Sequence, residues 1–250
     1  MESARRVEIK EYETARLSRP NVILGVPEVG LVGTIATSYL IDKLELPEAG
    51  YVVSDMVPDV IVVHDSKPKV PIRIYGKDSL AIAVSEIPLT PRLSYELTME
   101  LVRWARVNQC RMIVGATGIP SRKRVEMADE QKPSVFALTN REEMYQVLTS
   151  AGASKFEEGI LVGAYANMMR HAMLADQTAV VLMAEAYVQF PDPGAAVAAI
   201  EVLNRVLSID VDVKPLIEEA EEIRLRTREL MKRTEQAIQQ QLAQQTRVYA

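Results

Sequence analysis

Cysteine is almost absent from this sequence. Cys110 stands alone, between Gln109 and Arg111, so the chain can form no internal disulfide and offers no zinc-type cysteine spacing. Histidine is nearly as scarce. His64 and His171 are far apart, and a metal site built on them would need two distant segments to converge. Basic charge is in deficit: the formal net charge is −5, which excludes nucleic-acid binding through a general basic surface. No apolar run reaches the roughly 18 residues that suggest a membrane span, and the N-terminus lacks a signal-peptide pattern. A soluble, cytoplasmic protein without a membrane partner is the expectation. After Pro215 there is no further proline and no glycine, so nothing there interrupts a helix.

What is present is enough apolar residue for a proper core, 48% of the chain. Residues 21–26 (NVILGV) and 111–116 (RMIVGA) read as short strands buried on both faces, as does 178–184 (TAVVLMA). Further strands are expected at 51–54, 60–64, 71–75, 79–85 and 134–138, with Pro68 and Pro71 bracketing a turn. Helices are expected over 34–44, 92–108, 140–150, 163–175 and 194–207. Asp192-Pro193 marks the start of the last, because Asp can cap and Pro suits the first turn. Gly152 stops the 140–150 helix. The polar stretch 121–132, with Arg122-Lys123-Arg124, reads as an exposed loop. Strands alternating with helices predict an α/β sandwich with helices on both faces. The strands clustered between 50 and 85 without an intervening helix predict a mixed sheet.

The segment from Pro215 to about residue 245 reads as one helix of about 45 Å. Leu216, Ile223, Leu230 and Ala237 repeat every seven, a narrow apolar stripe. Glu218, Glu219, Glu221 and Glu222 come early and Arg224, Arg226, Arg228, Lys232 and Arg233 later, an order that suits the helix dipole. Glu222–Arg226 and Glu229–Arg233 are i,i+4 pairs worth about 0.3 kcal/mol each. The helix either lies on its own core or packs against neighbouring subunits; a stripe this narrow favours the second. The core is thus residues 1–212, the helix 213–247 and a tail 248–250.

The chemistry is sparse. Gly25, Gly30 and Gly33 fall between a strand and a helix, where phosphate loops sit. Leu31 and Val32 stand where a P-loop needs Lys and Ser/Thr, and Pro27 where a dinucleotide loop needs glycine, so a tight turn is the plainer reading. Glu86 and Glu185 each close an apolar strand, and carboxylates at strand ends commonly line a cleft. Neither comes with a partner group that would make it an acid or base. Gly30, Gly33, Glu86 and Glu185 are therefore candidates for a cleft, with no cofactor and no metal indicated. The sequence closes on Val248-Tyr249-Ala250: an apolar residue, a penultimate tyrosine and a C-terminal carboxylate. The ring can fill an apolar slot and the carboxylate can pair with a lysine or arginine.

Five segments carry a resemblance. They are GVPEVGLVGTIATSYLI at 25–41, SEIPLTP at 85–91, GATGIP at 115–120, GILVGAYANMM at 159–169 and AEAYVQFPDPGAAVAAIEVLN at 184–204. In these the chain resembles the proteasome assembly chaperone 2 family, in particular its archaeal members. The resemblance implies a three-layer α/β/α sandwich related to the purine nucleoside phosphorylase fold, without that enzyme activity. It also implies homo-oligomers, with tetramer and pentamer both open, and in some members a hydrophobic-tyrosine-any tail that docks between α subunits of the 20S proteasome. Val248, Tyr249 and Ala250 match that tail position by position. Another protein of the same family is a further partner the resemblance allows. An enzyme or small-molecule binder using the strand-end cleft is the competing reading. The Gln-rich approach to the tail, from Gln236 to Gln245, matches no family motif.

Overall fold

A computed structural model describes residues 6–121, 124, 132–188 and 190–220, and residues 222, 223, 225, 229, 231–233, 236 and 239 of the C-terminal segment. The strands are β1 (Val7–Glu11), β2 (Leu17–Gly25), β3 (Glu48–Ser54), β4 (Val62–His64), β5 (Lys67–Lys69), β6 (Ile72–Ser85), β7 (Ile113–Pro120), β8 (Val135–Thr139), β9 (Ser154–Lys155) and β10 (Ala179–Ala186). The helices are α1 (Val32–Lys43), α2 (Pro91–Val107), α3 (Met144–Ser150), α4 (Gly163–Leu174), α5 (Pro193–Leu207) and α6 (Lys214–Glu218). Eight strands form one mixed sheet in the order β1-β3-β6-β2-β7-β10-β8-β9, and β4 and β5 form a separate hairpin.

The parallel centre, β6-β2-β7-β10, uses the three apolar runs. Side chains alternate across it. Ile23 of β2 enters one core with α1 and α5, while Val22 and Leu24 enter the other with α2 and α4. All eight residues of β10 are buried. Helices thus cover both faces, giving the α/β/α layering. Antiparallel strands flank the centre, β3 and β1 on one side and β8 on the other.

Several boundaries differ from the sequence reading, each for a local reason. Residues 71–75 and 79–85 are two halves of one strand, β6. Its first half pairs with β3 and its second with β2, across an irregularity at Asp78, whose φ is +52°. The turn near Pro68 lies instead at Asp65-Ser66, both with positive φ, as a two-residue hairpin turn requires. Pro68 sits inside β5, where an edge strand tolerates it. Helix α3 starts at Met144 rather than 140 because the Asn140 side chain is tied to β10. Its Oδ1 accepts from Ala179 N (2.9 Å) and its Nδ2 donates to Gln177 O (2.8 Å). Strands β1 and β9 were not expected. The helix start at Pro193 is as the sequence suggests, with Asp192 Oδ1 accepting from Ala195 N. Helix α2 starts at Pro91, where Thr90 Oγ1 accepts from Leu93 N.

The exposed-loop reading of Arg122-Lys123-Arg124 needs correction at Arg124. Residues 122–123 and 125–131 lie outside the described residues, but Arg124 is buried, with its guanidinium forked onto Asp192 at 2.9 and 3.0 Å. Asp192 has no exposure at all, and its carboxylate also accepts from Tyr187 N and Ala195 N. The Arg124 guanidinium stacks over the Tyr187 ring, 4.7 Å from its centroid. Removing one partner of such a pair strands a buried charge, which costs about 3–5 kcal/mol. Arg124→Met should therefore lower the unfolding free energy by about 3 kcal/mol or more in urea titrations. A loss below about 0.5 kcal/mol, the size of an ordinary surface substitution, would show that the pair carries no stability.

Candidate functional site

In an open α/β sheet, ligands are received outside the carboxyl ends of the parallel strands. Here those ends are Gly25, Ser85, Pro120 and Ala186, and the five resembling segments all run through or beside them. The four cleft candidates fall in this region but do not converge. Strands β6 and β10 are separated by β2 and β7, so Glu86 and Glu185 are on the order of 14 Å apart in the sheet direction.

Glu86 is buried and closes an ion cluster. Arg73, itself buried, donates to Glu86 Oε1, and its other nitrogens donate to Tyr75 Oη and Val70 O. His64 Nε2 lies 2.7 Å from Glu86 Oε2. A carboxylate beside a histidine is half of a hydrolytic arrangement. With Arg73 neutralising the carboxylate from inside, the cluster's evident work is to seat the β4–β5 hairpin on the end of β6. Glu185 accepts from Ser121 Oγ (2.8 Å) and Ser134 N (3.2 Å), tying β10 to the segments that follow β7 and precede β8.

Gly30 and Gly33 are packing positions. Gly30 has φ +62°, and a Cβ there would lie 2.9 Å from the Ala186 methyl. A Cβ at Gly33 would meet Ala116 O at 2.3 Å and Tyr165 Oη at 2.4 Å. The turn is therefore filled by protein where a phosphate loop would hold its ligand.

A different residue, which the sequence reading passed over, lines the strand-end cavity. This cavity of about 380 Å³ lies between the N-termini of α2 and α4, walled by Pro27, Pro88, Leu89 and Pro91, with Glu28, Ser94 and Asn167 as its polar lining. Glu28 Oε1 accepts from Ala164 N at 2.8 Å, in the first turn of α4. Gly163, at φ +75°, leaves no room for a side chain beside that carboxyl group. Burial pushes the Glu28 carboxyl above its ordinary range, offset in part by the Ala164 N–H and the Thr117 hydroxyl. The fully buried Tyr165 accepts from Val26 N through its hydroxyl, and desolvation raises that phenol too. The available signal was that Glu28 and Gly163–Ala164 stand in two of the resembling segments, 25–41 and 159–169. What those segments share is this contact across 136 positions.

Cys110 is buried and its thiol is pushed up to about 12 by desolvation. His171 packs edge-on against Tyr95, and burial lowers it. Among the described residues no group of three or more His, Cys, Asp or Glu could hold a metal ion, and no helix is long and apolar enough to cross a membrane. Val248, Tyr249 and Ala250 lie outside the described residues. The single-helix reading from Pro215 needs correction: α6 ends at Glu218, with a turn at Glu219. Of the heptad-spaced stripe, Leu216 is fully buried and Ile223 packs against the chain's own core of α1 and α5 rather than facing a neighbouring subunit; Leu230 and Ala237 lie outside the described residues.

The family model described as "PAC2 family" matches residues 22–231 of this chain. The chain belongs to the PAC2 family. The match opens in β2, runs through all four parallel strands and ends in the C-terminal helical segment, so it includes the Glu28–Ala164 contact and excludes the tail. Pyrococcus furiosus PbaA, described as an archaeal homolog of proteasome-assembly chaperone, is 29% identical with a TM-score of 0.83, covering 92% of this chain and 99% of PbaA. Pyrococcus furiosus PbaB, described as an archaeal proteasome activator, shares the fold at a TM-score of 0.75 and 22% identity, covering 90% and 99%. The uncharacterised protein MJ0106 of Methanocaldococcus jannaschii is 28% identical over 224 residues, 89% of this chain and 90% of its own.

Glu28 has a pH signature. Its fold-raised pKa means the folded state favours the neutral acid. That contribution is full below the unfolded value near 4.5 and fades as pH rises through the folded one. Glu28→Gln fixes the neutral form and keeps an oxygen for Ala164 N. The variant should match wild type in melting temperature near pH 4, exceed it increasingly as pH rises above the unfolded value, and level off once pH passes the folded one. A gap that is constant with pH would refute the burial account.

Proposed function

We propose that this chain is a non-enzymatic proteasome assembly chaperone or activator that docks on the α ring of the 20S proteasome through its Val248-Tyr249-Ala250 tails. The observation that carries the reading is the near-complete likeness to PbaA, 29% identical over 99% of that chain, joined to a tail with docking chemistry at the opposite end of the sequence from β1. Membership of the PAC2 family supports the chaperone class. The crowding of Gly30 and Gly33, and the fully engaged Glu86, favour it over an enzyme.

The mechanism is multivalent. One Val-Tyr-Ala tail buries too little surface for tight binding. Several tails on one homo-oligomer raise the effective concentration and lift avidity by about 10²–10⁴. The tails follow a segment that is anchored on the α1–α5 core through Leu216 and Ile223. Docking opens a gate only to the extent that the tail prefers the open ring. A small-molecule role for the Glu28 cavity is the second reading. It is favoured by one observation, a desolvated carboxyl group in a cavity of about 380 Å³.

Tyr249→Ala, and separately one residue added after Ala250, should abolish stimulation of peptide hydrolysis by purified 20S particles. The fold and oligomer mass should be unchanged. The added residue moves both ring and carboxylate out of register. Equal stimulation by wild type and both variants would sink the tail reading and move the search for function to the core.

A further inference from the structure

The cavity beside Glu28 lies at the topological switch point of the sheet. Strands β2 and β6 are parallel neighbours, and the helices that follow them leave in opposite directions. Helix α1, after β2, packs on one face, and α2, after β6, on the other. The crevice between two such strands is where open α/β sheets receive their ligands. Pro27 and Glu28 line it from beyond the end of β2, and Pro88 and Leu89 from beyond the end of β6.

Charge decides what fits there. Glu86 and Asp192 each hold an arginine. Among the described residues Glu28 holds none: its hydrogen-bond partners are the Ala164 N–H and the Thr117 hydroxyl, both neutral. No lysine, arginine or histidine lines the cavity. A desolvated carboxylate is costly without a counter-charge, so a cation is what this site lacks. The two helix N-termini do not invite an anion instead. In α2, Pro91 has no N–H, and Leu93 N and Ser94 N are both taken by Thr90. In α4, Ala164 N is taken by Glu28. Acceptors do remain. Two hydrogen bonds occupy about half of a carboxylate's lone-pair sites. Asn167 gives its Nδ2 to Ser94 Oγ at 3.3 Å, which keeps its Oδ1 as a further acceptor.

We infer that this crevice binds a small ligand carrying a primary ammonium on an aliphatic stem, with the ammonium on Glu28 and the stem against Pro27, Pro88 and Leu89. A guanidinium fork takes both oxygens of a carboxylate at once. Oε1 is already engaged by Ala164 N, so the compact ammonium is the better match. The ligand class rests on the small-molecule reading of this cavity and is independent of whether the tail docks.

The probe is n-pentylammonium chloride, titrated calorimetrically into the full chain at constant ionic strength. Pentan-1-ol and pentanoate serve as the neutral and anionic forms of the same stem. The ammonium should bind saturably at about pH 7.5, where an alkylamine is charged as lysine is, and the other two should not. Its affinity should fall as pH drops through the folded pKa of Glu28. The Tyr165 phenol beside Glu28 is pushed up by burial and stays neutral over that range. Glu28→Gln, which keeps an oxygen for Ala164 N, should weaken binding by about tenfold or more. Ala166→Leu should do the same by filling the cavity while leaving the carboxyl group in place. Pentanol or pentanoate binding as tightly as the ammonium would overturn the ammonium assignment and leave a small-molecule site standing. Unchanged binding by Glu28→Gln or by Ala166→Leu would place the ammonium elsewhere and overturn it too. No saturable binding by any of the three probes at millimolar concentration would overturn both the assignment and the small-molecule reading.

Discussion

Four parallel strands covered by helices on both faces are the constraint from which the rest follows. Such strands must be apolar along their length, because neither face meets water. Polar residues are thereby driven to the strand ends. There they lose most of their hydration and have to be satisfied by partners, since an unpaired buried charge is far costlier than a paired one. Glu86 has Arg73 and His64, Glu185 has Ser121 and Ser134 N, and Asp192 has Arg124 and two backbone N–H groups. Each carboxylate stitches one segment of chain to another. The edge that commonly serves catalysis in this class of sheet is here largely used for holding loops in place.

This explains which parts of the fold could be read from sequence. The runs 21–26, 111–116 and 178–184 were legible because burial on both faces leaves a continuous apolar signature. The α5 start was legible because Asp192 and Pro193 act on backbone within three residues. Strand β1 (VEIKE) was not, since a charged edge strand is held by its antiparallel partner β3 and has little signature of its own. Strand β9 is two residues long and exists only by pairing with β8. Arg124 reads as a solvated cation in its own neighbourhood, and becomes a core residue only through Asp192, 68 positions away. Glu28 was missed for the same reason: the group that gives it meaning is the Ala164 N–H.

The functional reading divides along the same line. Membership of the PAC2 family rests on residues 22–231, the part whose packing the sheet dictates. The proposed docking chemistry rests on three residues beyond that match, Val248, Tyr249 and Ala250. Between them, Leu216 and Ile223 complete the α1–α5 core, while Ile217 and Leu225 are exposed. In the proposed mechanism, affinity comes from the number of tails rather than from any one of them.

The most direct test of that account is competition by the tail alone. A synthetic heptapeptide of residues 244–250 with a free carboxylate is titrated against the full chain bound to immobilised 20S proteasome. The same peptide with its C-terminus amidated serves as the comparison. The account predicts that the carboxylate form displaces the chain and that the amide, lacking the charge that pairs with a basic residue, displaces it far less. Displacement by both forms alike, or by neither while the full chain still binds, would contradict it.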